Sequence, residues 1–573
     1  MSTAETQRGP TSGIGLRLAL NAVCILVVGS GLPIVRGGDT SSSQPLPTCV
    51  PGWMGRLIID CEGTSGWGVE QDNGSTGTLK TTAGVINNAV QLNWDIGAGS
   101  WVQARYTFRR PIDLSREDIF GISLRGDPGS SNVIAVMFAD ADGVFFGFDC
   151  DSLNNIDRWA INLSLPKKLF WHFFTFGPDP SDNTIDWSRI ERFYVVVKRP
   201  GALLGGGSGT LTVDHVQADR ACDWPRQTEF ESIEPNRASV DKAVNYIFGR
   251  RNRTGLFTSW SSEFNAYAYD QALVLIVLTR EGAWQDRAPQ NGIARAADKL
   301  ADFLIAQQLP DGNWPAGWDA RTGKVTAPPS GVGGDCYLVM ALVTYANKVG
   351  DQAARDAAQA CGDGLAKQID AMGRLIPSTE GNVDAWWAMA ALERWQDADR
   401  IQQYLLNTVW DADLKYWWRG FSQQPDPVIA LDCATWVGEF ARTARVDRPD
   451  MAKAALSFAR RTLMTTDDNY TYCGLDSMGP IGIWCEGTAQ YVAAGGEGSQ
   501  DLLNTLLALQ QPDGGMPGST EGRLSCFGWL TTMTGLAPTC WFYFAQTKSP
   551  FADLISPGNM LVNGSLSDRN QRD

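Results

Sequence analysis

Histidine is nearly absent. The 573 residues contain two, His172 and His215. Twelve cysteines are present, but none forms a C-x-x-C pair and none has a histidine nearby, so a zinc site is not expected. No run of Lys or Arg offsets a formal net charge of -15. A surface of that sign repels nucleic acid and anionic membrane, and it disfavours polyanionic substrates. Long apolar runs are also missing, with one exception. Residues 16–35, "LRLALNAVCILVVGSGLPIV", follow Arg8, carry Arg17 at their start and are broken by Gly29, Ser30, Gly31 and Pro33. This reads as a signal-peptide region within 1–36 rather than a spanning helix. Because no A-x-A cleavage site follows, an uncleaved N-terminal anchor is the alternative. The expectation is an exported, monomeric protein, secreted or held at the membrane by that segment. With Cys24 removed, eleven cysteines remain, and an odd number leaves at least one free thiol. Residues 37–52 read as a linker and 558–573 as a tail.

What remains is ordinary in bulk and unusual in detail. Apolar residues make up 43% of the chain, enough for a large core, and tryptophan reaches 22 residues. Such rings serve either as core or as exposed platforms for sugar rings.

Residues 53–222 read as strands. "RLIID", "WVQARYTF", "IFGISLRG", "VIAVMFAD", "VFFGFDC", "WHFFTF", "RFYVVVK" and "GTLTVDHVQ" are short, β-branched or aromatic, and separated by Gly, Asn, Asp and Pro. Eight or so strands at this spacing predict an antiparallel β-sandwich. The order "IIDCEG", "GISLRGD", "WSRIERFYVVV", "LTVDHVQ" resembles the galactose-binding-like jelly rolls, near carbohydrate-binding module family 11. The resemblance implies a domain that binds sugar or only buttresses an enzyme. It also implies a structural calcium at the matching acids Asp60, Glu62 and Asp214, with plain surface acids as the alternative.

Residues 230–557 change to helical periodicity, as in "AYDQALVLIVLTR" and "AADKLADFLIAQQ". Six helix pairs can be drawn. Charged, one-faced helices are expected near 237–249, 293–307, 352–370, 397–409, 448–464 and 499–510. Their partners, apolar nearly all round, fall near 268–280, 335–347, 383–394, 431–443, 483–494 and 526–545. One-faced helices suit an outer ring and all-apolar helices an inner ring. Long links alternate with short ones, which gathers the long loops at one end, and "STEG" recurs at 378–381 and 519–522. This arrangement resembles the (α/α)6 toroid of many glycoside hydrolases, so the fold class expected is a β-sandwich followed by an all-α toroid.

Acids collect at the starts of the inner helices: Asp270, Asp335, Glu380 with Asp384, Asp432, Glu486, and Glu521 upstream of the last. Helix capping accounts for any one of them, Asp335 and Asp384 in particular. It accounts poorly for Glu486, which lies between Trp484–Cys485 and Gly487. Carboxyls among aromatics, without histidine, suit glycoside hydrolysis, in which one acid protonates the leaving oxygen and a second activates water or attacks the sugar. Glu486, in apolar company, suits the acid. Asp432, Asp270 or Asp384 suit the base, with Glu380 in the same ring.

The set "YDQA … STE-x-N-x-DA … LD-x-x-[ST]W … EGTAQ" is similar to a group of secreted bacterial toroid proteins treated as glycosidases. Sugar contacts are expected from Trp386, Trp387, Trp436, Trp418, Gln271, Asn382, Thr488, Gln490 and Asp335. Catalysis needs no cofactor on this reading. Toroid epimerases, which rely on histidine, do not fit. Two alternatives stay open: a non-catalytic carbohydrate-binding or matrix protein, and a polysaccharide lyase using Tyr267, Tyr269 or Tyr416.

Overall fold

The structure is a computed structural model. It describes residues 55–554 except 85–86, 127–131, 150–159, 200–206, 221–225, 287, 427–428, 468–469, 474–482 and 521–532. The N-terminal apolar segment, the linker, the C-terminal tail and Glu521 lie outside the described residues.

The first part is a sandwich of two antiparallel sheets. Its strands are β1 (Arg56–Ile59), β2 (Trp67–Gln71), β3 (Thr76–Ala83), β4 (Asn88–Asp95), β5 (Trp101–Ile112), β6 (Ile119–Arg125), β7 (Val133–Asp140), β8 (Val144–Asp149), β9 (Ala160–Pro166), β10 (Trp171–Thr175), β11 (Ile190–Lys198) and β12 (Ser208–Asp219). One sheet runs β3-β4-β12-β6-β9, with β1 also paired to β12; the other runs β10-β8-β7-β11-β5-β2. Alternate residues such as Val90, Leu92, Ile122, Leu124, Val136, Phe138, Phe193 and Val195 turn inward and form the core between the sheets. The eight strand-like segments all lie on strands. β2, β3, β4 and β9 escape a propensity reading because Gly, Asn, Lys and Thr dilute their apolar residues.

Among the described residues twelve α-helices follow: α1 (Arg237–Gly249), α2 (Ala268–Glu281), α3 (Gly292–Ala306), α4 (Val332–Val349), α5 (Gln352–Ala366), α6 (Thr379–Ala391), α7 (Trp395–Asn407), α8 (Asp432–Ala441), α9 (Pro449–Leu463), α10 (Cys485–Ala493), α11 (Ser499–Leu509) and α12 (Leu536–Gln546). The even-numbered helices pack in sequence, α2 on α4, α4 on α6, and so on, until α12 returns to α2 and closes the ring. Each odd-numbered helix lies outside, against the inner helix before it, and α1 completes the outer ring against α12. The division follows the side chains. α5 buries one stripe, Ala354, Ala357, Ala358, Cys361 and Leu365, whereas α4 is buried around its circumference from Asp335 to Ala346. Asn236, Asn291, Asp351 and Ser378 cap α1, α3, α5 and α6 by accepting from backbone N–H groups three residues on.

The far end of the barrel is shut by a short turn, Pro550–Asp553. Arg280 at the end of α2 holds it through the carbonyls of Lys548 and Ser549 at 2.7 and 2.8 Å. Phe551 enters the lumen, stacks on Trp387 (centroids 4.6 Å apart, planes at 10°), and touches Tyr337 and Trp541. Sandwich and toroid meet through Lys168, which pairs with Asp411 at 2.5 Å and Asp413 at 3.1 Å, and through Arg461 with Asp219 at 3.2 Å. Cys61, Cys336, Cys361, Cys433, Cys485 and Cys540 are buried free thiols. No helix among the described residues is long and apolar enough to cross a membrane.

Candidate active site

The inner helices all begin at the end of the barrel that carries the long loops, so acids in their first turns meet across its mouth. Asp270 (α2), Glu380 and Asp384 (α6), Asp432 (α8) and Glu486 (α10) act on one another electrostatically. Glu486 feels Asp270 and Glu380, and Asp384 feels Glu380 and Asp432. Glu380, Asp432 and Glu486 keep a partly accessible edge, while Asp270 and Asp384 are buried.

Glu486 is held by one group from another helix and one from its own. Tyr269 donates to its Oε1 at 2.9 Å, and Gln490, one turn along α10, donates to the same oxygen at 3.4 Å. The Tyr269 oxygen in turn accepts from the Trp541 indole N–H of α12 at 2.7 Å. Burial drives the Glu486 carboxyl upward, the Tyr269 bond pulls it back, and the charges of Asp270 and Glu380 add to the rise, leaving it at about 8. Asp270 is pushed up by burial to about 7 against a hydrogen bond from Ser259. Asp384 is raised well above the carboxylate range by burial first, then by Glu380 and Asp432. Gly333 of α4 lies so close that a Cβ there would sit 3.2 Å from Asp384 Oδ2.

Beneath the carboxyls four aromatic side chains form a closed circuit across the lumen. Tyr269 meets Tyr337 edge to face at 4.8 Å, and Tyr337 meets Trp436 at 5.7 Å. Trp436 stacks on Trp541 at 5.9 Å and 14°, and Trp541 returns to Tyr269 through the indole hydrogen bond. The Tyr337 hydroxyl, the Trp436 indole nitrogen and Asp384 Oδ1 are buried and have no hydrogen-bond partner among the described residues. The Tyr337 phenol is raised well above its usual range by burial and then by Asp384, Glu380, Glu486 and Asp432. Sequence reading missed Tyr337 and Trp541 altogether and weighed Tyr269 only as a lyase base. The signal available was its place in "YDQA", one residue before Asp270.

Several residues expected to touch sugar are committed elsewhere. Gln271 accepts from the Phe257 N–H and donates to the Phe257 carbonyl, both at 2.9 Å, and so pins a loop. Asn382 does the same for the turn before α6, accepting from Leu375 N–H and donating to the Ile376 and Ser378 carbonyls. Asp335 accepts from Trp314 N–H at 3.0 Å and Ser330 Oγ at 2.7 Å, a loop anchor buried to about pKa 7. Trp386 packs against Trp387 and Phe440, and Trp387 has Phe551 on its face, so the pair is core and not a platform. Trp418 turns toward Lys168 of the sandwich, 5.9 Å from its ring. Gly487 gives its space to the Trp484 ring, which an added Cβ would strike at 2.0 Å. Thr488 and Gln490 are buried in α10, and of the two Gln490 reaches Glu486.

In the sandwich, Asp214 is buried and bonded to the His215 ring at 2.8 Å, while Glu62 accepts from Asn87 and Asn88. The Glu62 backbone N–H donates to Asp60. Among the described residues no three His, Cys, Asp or Glu side chains gather as metal ligands.

No family model matches the chain, and no curated protein matches it. Solved structures do. The family 11 carbohydrate-binding module of Clostridium thermocellum aligns over 28% of this chain and 94% of its own, at 14% identity and a TM-score of 0.24. A novel alpha-amylase from Clostridium perfringens aligns over 54% and 97%, at 11% identity and a TM-score of 0.39. A beta-1,2-glucanase from Parabacteroides distasonis aligns over 89% and 99%, at 8% identity and a TM-score of 0.38.

Proposed function

We propose that the chain hydrolyses glycosidic bonds in the mouth of the toroid, with Glu486 as general acid. The observation that carries this is the environment of Glu486: a partly accessible carboxyl held near a pKa of about 8, with its Oε1 taken by Tyr269 and Gln490. Occupying Oε1 directs the transferable proton to Oε2. An acid that keeps its proton at neutral pH and presents it from a fixed oxygen is what the leaving group requires.

The second carboxylate comes from α6 or α8. Glu380, Asp384 and Asp432 crowd one another, and three neighbouring carboxyls do not all ionise. Burial first, then Glu380 and Asp432, hold the proton on Asp384, the most buried of the three. Asp432 then activates water or attacks the sugar, and Glu380 supports the developing positive charge. The lyase alternative is weaker, because burial and neighbouring carboxylates push the Tyr269 and Tyr337 phenols well up and away from a base's range.

The test is a panel of polysaccharides treated with purified protein, reading released reducing ends. Release by the wild type and none by Glu486→Gln supports the reading. Binding without release by either would favour a carbohydrate-binding protein instead.

A further inference from the structure

A cleft of about 600 Å³ lies where the sandwich meets the toroid. Sites for small ligands span roughly 300–1,000 Å³. On the sandwich side it shows Phe146, Phe170 and Trp187, rings that pack with the inter-sheet core, so it exposes the edge of that core and not the outer face of a sheet. On the toroid side it is walled by the turn at residues 412–415, between the short paired strands Trp410–Asp411 and Tyr416–Trp417. That turn is already braced. Asp411 accepts from the N–H groups of Asp413 and Leu414 at 2.9 and 3.0 Å, and Lys168 reaches across from the sandwich to Asp411 and Asp413. The same loop continues toward the mouth acids. Tyr416 donates to the carbonyl of Ala430, two residues before Asp432, and the Trp418 carbonyl accepts from Thr379 Oγ1 at 2.6 Å, one residue before Glu380.

Charges of both signs meet at the rim of the cleft, Lys167, Lys168 and Lys415 with Asp118 and Asp413. Lys167 gives two of its three N–H bonds to the carbonyls of Leu114 and Ser115, at 2.9 and 3.1 Å, and stands 5.4 Å over the Trp187 ring. A carboxylate ligand would meet Asp118 and Asp413. An ammonium ligand would meet three lysines. A wholly apolar ligand would strip water from the charged rim. A neutral sugar ring carries none of these penalties, because its C–H face lies against aromatic rings while its hydroxyls both donate and accept.

We infer that the cleft between sandwich and toroid is a second glycan site, which holds neutral sugar units of a chain that continues into the toroid mouth. The inference rests on the hydrolase reading for where that chain leads, and not for binding in the cleft.

Hydrogen–deuterium exchange on the intact protein tests this, with titration calorimetry for affinity. The probes are neutral hexamers of glucose (α-1,4, β-1,3 and β-1,4), xylose and mannose (both β-1,4), with hexagalacturonate and a glucosamine hexamer as charged controls. At least one neutral hexamer should slow exchange in residues 165–170 and 411–418 together, and should bind about tenfold or more tighter than either charged one. Ala412 is exposed in the turn, so Ala412→Arg should fill the cleft, abolish that protection and leave the melting temperature near the wild-type value. If the variant misfolds by circular dichroism, the wild-type exchange map and the neutral-to-charged ratio decide the matter alone. The inference is overturned if no neutral hexamer protects both segments, if protection survives in a folded Ala412→Arg, or if a charged hexamer binds as tightly. Protection of the cleft without reducing-end release from any polysaccharide would keep the inference and sink the hydrolase reading; release without protection would do the reverse.

Discussion

Tyr269 is obliged to donate to Glu486. An indole N–H can only donate, so the Trp541 bond at 2.7 Å makes the Tyr269 oxygen an acceptor. The phenol's own proton then points to Glu486 Oε1 at 2.9 Å. Three helices, α2, α10 and α12, thereby fix one carboxyl oxygen.

Replacing Glu486 by Gln keeps the shape and removes the transferable proton. Turnover should fall at least about a hundredfold, the lower range for acid–base catalysis. A substrate with an activated leaving group should recover much of the loss. Full activity with a lowered melting temperature would instead make Glu486 a structural residue.

Tyr269→Phe should act through Glu486. The hydrogen bond favours the charged form, so its loss raises the Glu486 pKa above its present value of about 8. The alkaline limb of the kcat/KM profile should shift to higher pH, and kcat should drop less than in Glu486→Gln. Trp541→Phe should give the same shift, and the double variant little more, because both act on one chain of bonds.

Much of this was legible in the sequence. The alternation of one-faced and all-apolar helices gives the two rings, because burial on one side or all sides is a local property of a helix. The acids stand out because charge is rare in such helices. The uses of Gln271, Asn382 and Asp335 were hidden, since amides and carboxyls bind backbone as readily as sugar and nothing local distinguishes the two. Tyr269 and Glu486 lie 217 residues apart in sequence, and Tyr269 and Trp541 lie 272 apart, so their contact exists only once the ring has closed.

Trp387 is a packing residue with Phe551 stacked on it. Trp387→Ala should cost about 3–5 kcal/mol by opening a cavity at the barrel floor. Phe551→Ala should show a similar loss. Denaturant melts check this, and the Michaelis constant of the folded fraction should stay near the wild-type value. A selective rise in that constant would return Trp387 to the binding surface.

Stability should fall as pH rises from about 4 to about 8. Unfolded Asp and Glu lose their protons near about 3.9 and about 4.3. The folded chain keeps them on Asp270, Asp335 and Glu439 to about 7 and on Glu486 to about 8. Across that window the native state binds more protons than the unfolded one, so the slope of unfolding free energy with pH is negative. Asp270→Asn should raise the melting temperature at pH 8 and leave it nearly unchanged at pH 4. A melting temperature that rises with pH over the window would contradict the buried-acid account.

The floor of the barrel bears on how the chain matures. Phe551 and α12 are the last parts of the toroid to leave the ribosome, yet α12 must lie between α10 and α2, and against α1, before the ring exists. Some three hundred residues of helix and loop therefore wait for a short final stretch, and contacts of such long range form slowly. A chain stopped before residue 536 would lack Trp541, leave Tyr269 without its anchor, and show the rest of the lumen to solvent. Such products should be aggregation-prone and cleared as misfolded, with no partial activity to report.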